Sequence, residues 1–130
     1  FYVSPIQMAL ITASFTNDGI IPKPVLVNSY LDVNGNWLAF PHDLKSVQTV
    51  PDYASNQIID FLADESKPIW FSIGHVLNDN EEGITWYLGG TLPDWQGSPL
   101  SVAIVLESNN PALVQKIGSQ LLTANTIADN

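Results

Sequence analysis

Chemistry at a protein site needs reactive side chains at defined spacing, and this chain offers few. His42 and His75 are the only histidines and lack the i,i+4 spacing of a helical metal pair. Both read as ordinary surface or hydrogen-bonded residues. Asp32, Asn34 and Asn36 occupy the first, third and fifth places of a calcium-loop pattern, but Trp37 replaces its invariant glycine and Asp43 its closing glutamate. Such a loop also needs flanking helices, and these flanks read as strands, so a hairpin turn and no metal site is expected. Glu81 and Glu82 are neighbours in a polar turn and point apart, whereas a glycosidase pair faces across about 5 to 9.5 Å. The absence of cysteine removes disulfides, thiol catalysis and cysteine-type zinc sites. No cofactor is implied.

Trp70, Trp86, Tyr87 and Trp95 crowd one region, as they would on a sugar-binding sheet. Trp86 and Tyr87 are adjacent in a strand and must face opposite sides, so core packing claims at least one. Trp95, in the loop Pro93-Asp94-Trp95-Gln96-Gly97, is expected to be the exposed aromatic and the candidate ligand contact.

The elements that must position these residues belong to one domain. The 130 residues are 45% hydrophobic and only 13% charged, the opposite of a disordered composition. Four lysines, no arginine and thirteen carboxylates give a net charge of −9, which excludes nucleic acid as a partner. No apolar run approaches the roughly 18 residues of a membrane span, and no signal-peptide pattern is present. The chain opens at Phe1 with a helix start directly behind it, and reads as a piece of a longer polypeptide.

Ser4-Pro5-Ile6-Gln7 predicts a capping box and a helix over about 5–17, ended by Asn17-Asp18-Gly19 with Gly19 in the left-handed cap. Its apolar residues lie on more than one face, so burial on several sides is expected. Pro22 and Pro24 favour an extended connector. Asn34-Gly35 predicts a hairpin over about 25–40. A helix over about 52–63 follows, with Tyr53, Ile58, Ile59 and Leu62 as its buried stripe. Three strands form an antiparallel meander over about 69–107, with Gly89-Gly90 marking a bulge or a close backbone approach. The last helix spans about 111–124, with Leu113, Ile117 and Leu121 as its stripe and Gly118 allowing close packing. The fold class is α+β: an antiparallel sheet of three or more strands with packed helices.

Two stretches resemble one family. Val3 to Leu10, running on to Asn17-Asp18-Gly19-Ile20-Ile21-Pro22-Lys23-Pro24, is similar to the Pro-Leu-Gln-Met-Ala helix of penicillin-binding protein transpeptidase domains. Thr85-Trp86-Tyr87-Leu88-Gly89-Gly90-Thr91-Leu92-Pro93 resembles a strand of the same family, and Pro99 to Glu107, with Asn110-Pro111 and Ile117-Gly118, its last strand and helix. Residues 37–68 match weakly. The resemblance implies the C-terminal part of a serine acyl-transferase domain. Such domains cross-link peptidoglycan stem peptides outside the cytoplasmic membrane, are membrane-anchored through another segment, and are acylated by β-lactams.

That chemistry uses Ser-x-x-Lys, Ser-x-Asn and Lys-Thr-Gly. Eleven serines are present and none has lysine three residues later. Ser108-Asn109-Asn110 matches the second motif formally, but its place before the last helix fits an N-cap better. Ser72-Ile73-Gly74 falls where Lys-Thr-Gly belongs, so serine and isoleucine would replace the lysine that anchors a carboxylate and a hydroxyl. Only Lys116-Ile117-Gly118 resembles the motif literally, and it lies on the last helix. No catalytic residue is therefore assigned and the chain alone is expected to be inactive; the intact parent is either a divergent penicillin-binding protein or, as the favoured reading, a non-catalytic relative. The rivals are a stand-alone peptide- or glycan-binding module and an interaction domain whose open sheet edge makes it a homodimer.

Overall fold

The computed structural model describes residues 2–41, 45–77 and 83–124. His42, Asp43, Glu81, Glu82, most of the Asn78–Gly83 turn and the tail lie outside the described residues.

Helix α1 (Pro5–Thr16) begins as the sequence dictates. The Ser4 hydroxyl accepts the Gln7 backbone N–H, and the Gln7 side chain accepts the Ser4 N–H at 2.8 Å. It ends where Asp18 and Gly19 both take positive φ, 52° and 80°, and the Gly19 N–H reaches back to the Ser14 carbonyl at 2.7 Å. The following chain enters a two-stranded sheet absent from the sequence reading, in which β1 (Ile20–Ile21) pairs with β4 (Val47–Gln48). Strands of two residues carry too little periodicity to be read.

Between them, β2 (Ser29–Leu31) and β3 (Trp37–Ala39) form the predicted hairpin. Of Asn34 and Gly35 only the glycine takes positive φ, 81°. The Asp32 carboxylate accepts the backbone N–H groups of Asn36 and Asn34, each at 2.8 Å, and the Asn36 bond foremost holds that carboxyl below its usual pKa. The acid is thus a turn cap. Among the described residues no set of three His, Cys, Asp or Glu side chains is placed to hold a metal.

Helix α2 (Asp52–Leu62) buries Ser55 and Ile59, with Leu62 half-covered. The expected stripe fails in part: Tyr53 is 67% exposed and Ile58 also faces outward. Ser55 decides the orientation, because its hydroxyl donates to the Phe15 carbonyl at 3.0 Å and locks α2 to the end of α1.

The main sheet is the predicted meander, in the order β5 (Ile69–Leu77), β6 (Gly83–Thr91), β7 (Ser101–Leu106), all antiparallel. Its register is continuous through Phe71↔Gly89 and Trp70↔Gly90, so the two glycines mark a close approach rather than a bulge. A Cβ on Gly90 would collide with the Thr16 hydroxyl of α1 and lie 2.9 Å from Trp70 Nε1. Trp70 in turn is buried, donates to Thr16 Oγ1 at 3.3 Å and meets Phe15 edge-on at 6.1 Å. Alternation sends Gly90, Leu88 and Trp86 toward the α1 side, and Thr91, Gly89, Tyr87 and Thr85 toward the other. From Met8 to Thr16 only Ile11 is exposed, and α1 packs against β6, β7, β1 and α2, so it is covered on several sides as expected, with Thr12 and Ser14 fully buried.

Helix α3 (Pro111–Ala124) covers the second face. Its buried line is Val114, Gly118 and Leu122, one position on from the expected stripe; Leu113 and Leu121 are 43% and 50% exposed. The reason is Gly118, which lies against the Tyr87 ring where a Cβ would overlap it. Tyr87 also stacks on Phe71 at 5.5 Å, and Ile69, Val114 and Leu122 complete the core. At the strand's other end, Thr85 donates to the Ser108 carbonyl at 2.7 Å and accepts the Asn110 N–H at 3.1 Å. Asn110 Oδ1 accepts the Leu113 N–H, so the Ser-x-Asn match is the helix cap.

Gly118→Ala should lower stability by about 2 kcal/mol despite alanine's better helix propensity, and thermal melting by roughly 5–10 °C. An unchanged melting temperature would contradict the contact. The Tyr87 hydroxyl is buried without a hydrogen-bond partner, and burial, with the Asp64 charge second, pushes its pKa up to about 12. Below pH 10 the phenol is neutral in both states. Above it the unfolded phenol ionises while the folded one resists, so stability should fall between pH 10 and 12 by at most about 2–3 kcal/mol. Urea titrations at pH 8 and 11 measure this, and in Tyr87→Phe the fall should shrink without loss of stability at pH 8.

Candidate functional site

β5 is an edge strand: it pairs with β6 on one side, and its other edge is bridged by Ala63 at Trp70 but carries no strand beyond that among the described residues. Ser72, Ile73 and Gly74 sit at its middle, opposite Leu88, Tyr87 and Trp86. The pleat divides them. Ile73 points to the α3 side and packs against the core, whereas Ser72 and Gly74 are exposed on the other face, alongside half-buried Trp86. A Cβ added at Gly74 would meet nothing within 4 Å, so the face is open there. The contrast with Gly89 and Gly90 in the same sheet is sharp: α1 covers the end of this face near Trp70 and Gly90 and leaves the Ser72–Gly74 end bare.

The chemistry available on that face is limited. Ser72 has no acid–base partner in the strand. Lys67 and Lys116 line a cleft of about 410 Å³ with Ala112, Gln115, Ser119 and Gln120 along α3, on the far side of the sheet. Lys116-Ile117-Gly118 is helical and its glycine faces Tyr87, so it is no strand motif. His75 lies on the α3 side opposite Thr85, exposed, with Cε1 near Gly83. Four serine hydroxyls elsewhere are spent on main chain or neighbours: Ser14 donates to Ile11, Ser55 to Phe15, Ser119 to Gln115 and Ser66 to Asp64. The Ser66 side chain first, then its N–H, holds the Asp64 carboxyl below its usual range. What remains on the face is a peptide edge, a hydroxyl, an aromatic ring and space.

Trp95 is not the exposed aromatic expected from its loop. It is half-buried, its Nε1 covered and folded against Gly97, and the most exposed tryptophan is Trp37 at 72%. A Gly in the loop lets the ring fold back, a contact with no signature beyond the spacing. Sequence reading also missed a cleft of about 400 Å³ lined by Asp18, Asn56, Asp60 and Asp94, because its residues come from a turn, helix α2 and a loop far apart in the chain.

No family model and no curated protein matches the chain. Solved structures do. The chain is similar to penicillin-binding protein 3 of Mycobacterium tuberculosis in complex with aztreonam, with TM-score 0.72 and 13% identity over 96% of this chain and 36% of that one. The D,D-transpeptidase domain of a peptidoglycan glycosyltransferase from Eggerthella lenta gives 0.75 and 19%, over 98% and 33%. The imipenem acyl-enzyme of penicillin-binding protein A from M. tuberculosis gives 0.76 and 20%, over 95% and 31%. The chain thus has the α+β fold of the C-terminal portion of a penicillin-binding protein transpeptidase domain, and spans about a third of each of these chains.

Because Gly74 faces open space and Gly90 faces a helix, the two should respond oppositely to alanine. Gly74→Ala should leave stability unchanged or raise it by about 0.5 kcal/mol, and Gly90→Ala should cost about 2–3 kcal/mol in urea unfolding. Equal effects would mean that the Ser72–Gly74 face is covered.

Proposed function

We propose that the chain is the C-terminal portion of a transpeptidase-like domain that holds peptidoglycan stem peptides without acylating them. The reading places it outside the cytoplasmic membrane, in a membrane-anchored parent. The observation that carries it is the edge of β5 beyond Trp70, where Ser72 and Gly74 stand beside Trp86 and the strand itself holds no lysine. An extended peptide adds to such an edge through main-chain hydrogen bonds, with side chains alternating between the faces. Acyl transfer needs an activated nucleophile, and among the described residues Ser72 has no base beside it on this face. With no lysine on β5, the strand offers a terminal carboxylate only neutral donors, which makes weak and reversible binding the expected mode. In this reading the parent retains the fold as a pseudoenzyme. β-Lactam binding, where it occurs in the parent, depends on residues outside these 130.

The alternative, a module that binds peptide or glycan on its own, uses the same edge and is supported by Trp86 on its open face. Trp95 serves this reading less well, since its ring is folded into its own loop.

A peptide ending in D-alanyl-D-alanine, titrated into the isotope-labelled chain, should shift the backbone amides of β5 in fast exchange and leave the intact mass unchanged. Ser72→Lys restores one charge-assisted hydrogen bond of about 1.5 kcal/mol and should tighten binding roughly tenfold. No shift in β5, or tightening that fails to follow the added charge, would contradict the site.

A further inference from the structure

The β2–β3 hairpin is built unlike the rest of the molecule. Its two strands contact each other and no other helix or strand among the described residues. An isolated two-stranded ribbon is marginal in water, and one with exposed apolar side chains has an unmet partner. Both of its faces are apolar. Tyr30, Leu38 and Phe40 share one, with Tyr30 and Phe40 edge-on at 6.3 Å; Leu31 and Trp37 share the other. All five are exposed. Summed over both faces and the approach from Val25, these exposed residues present surface on the order of 1,000 Å², of which pairing along one edge covers a part; a standard interface takes about 800 Å² per partner.

We propose that the outer edge of β3 pairs with β3 of a second copy of this chain, making a four-stranded antiparallel sheet across a twofold axis. Two bonds fix which main-chain groups are used inside the hairpin: Phe40 N–H to the Asn28 carbonyl and Asp32 N–H to the Asn36 carbonyl, both 2.9 Å. Alternation then turns the N–H and C=O of Trp37 and Ala39 outward. Centring the twofold on Leu38 sets Trp37 of each copy opposite Ala39 of the other, large against small in both halves, with four new main-chain bonds. Pro41, lacking an N–H, ends the ladder.

Charge favours this partner and this place. The chain carries −9, yet residues 20–50 hold two lysines and two aspartates and sum to zero. Two copies therefore meet where neither repels the other. Trp37 to Phe40 contains no charge and no proline, the usual guards of an edge strand. A lipid surface fits less well, because the ionised Asp32 and its two asparagines stand at the tip that would enter first. The outer edge of β7 is a poorer candidate: α1 and α3 flank it, and all six of its residues are half-covered.

Sedimentation velocity across the micromolar range tests this. The chain should reach twice its 14.2 kDa mass at the upper end. Leu38→Lys, and independently Ala39→Pro, which removes only the outward N–H, should raise the dimer dissociation constant at least tenfold. Because the hairpin touches no other element, the melting temperature of the monomer should not change. A monomer at every concentration, a dimer that survives both substitutions, or a monomer that co-sediments with phosphatidylglycerol vesicles would each overturn the assignment. None of these outcomes touches the β5 site, which is read by peptide titration.

Discussion

The structure depends on one crowded strand. β6 is pressed from both sides by helices that come closer than ordinary side chains permit. At Gly90 the absence of a Cβ admits Thr16 and the Trp70 indole, and on the other face Gly118 of α3 admits the Tyr87 ring. Each contact sets one missing Cβ against a large aromatic, and each anchors a whole helix. Thr85 then ties the same strand to the start of α3. With both helices set by β6, the edge of β5 and its open face follow as consequences, since α1 is held to one end of the sheet.

Much of this was legible in the sequence where a local rule acts alone. The capping box at Ser4 and Gln7, the left-handed stop at Gly19, the Asn34-Gly35 hairpin and the three meander strands all obey propensities that need no partner. The failures share a cause. The buried lines of α2 and α3 were misread because burial there is decided by one polar hydroxyl, Ser55, and one glycine, Gly118. Hydrophobic periodicity gives weight to neither. Trp95 was misplaced for the same reason, its ring being drawn in by Gly97. The β1–β4 pair joins residues too few and too far apart to leave a pattern.

The candidate site was legible by position but not by geometry. The motif resemblance leads to Ser72-Ile73-Gly74, and the register shows that alternation splits the three between two faces, with Ile73 spent on the core. A core contact explains isoleucine at that position without any appeal to ligand binding. Ser72 and Gly74 remain on the open face, where a Cβ added at Gly74 would meet nothing within 4 Å. Their smallness leaves the main chain of the edge accessible, which suits strand addition more than nucleophilic chemistry. The fold is thus held by packing constraints on β6 and on the core residues of β5, constraints that Ser72 and Gly74 on the open face do not share.

The most direct test of a fold kept without its acyl-transfer chemistry is intact-mass spectrometry after incubation with a β-lactam. It should be run on this chain and on any longer polypeptide that carries it, under conditions that acylate an authentic penicillin-binding protein. The account predicts unchanged masses for both. A single adduct on the longer polypeptide, absent from this chain, would place a working serine elsewhere in it and contradict the non-acylating reading.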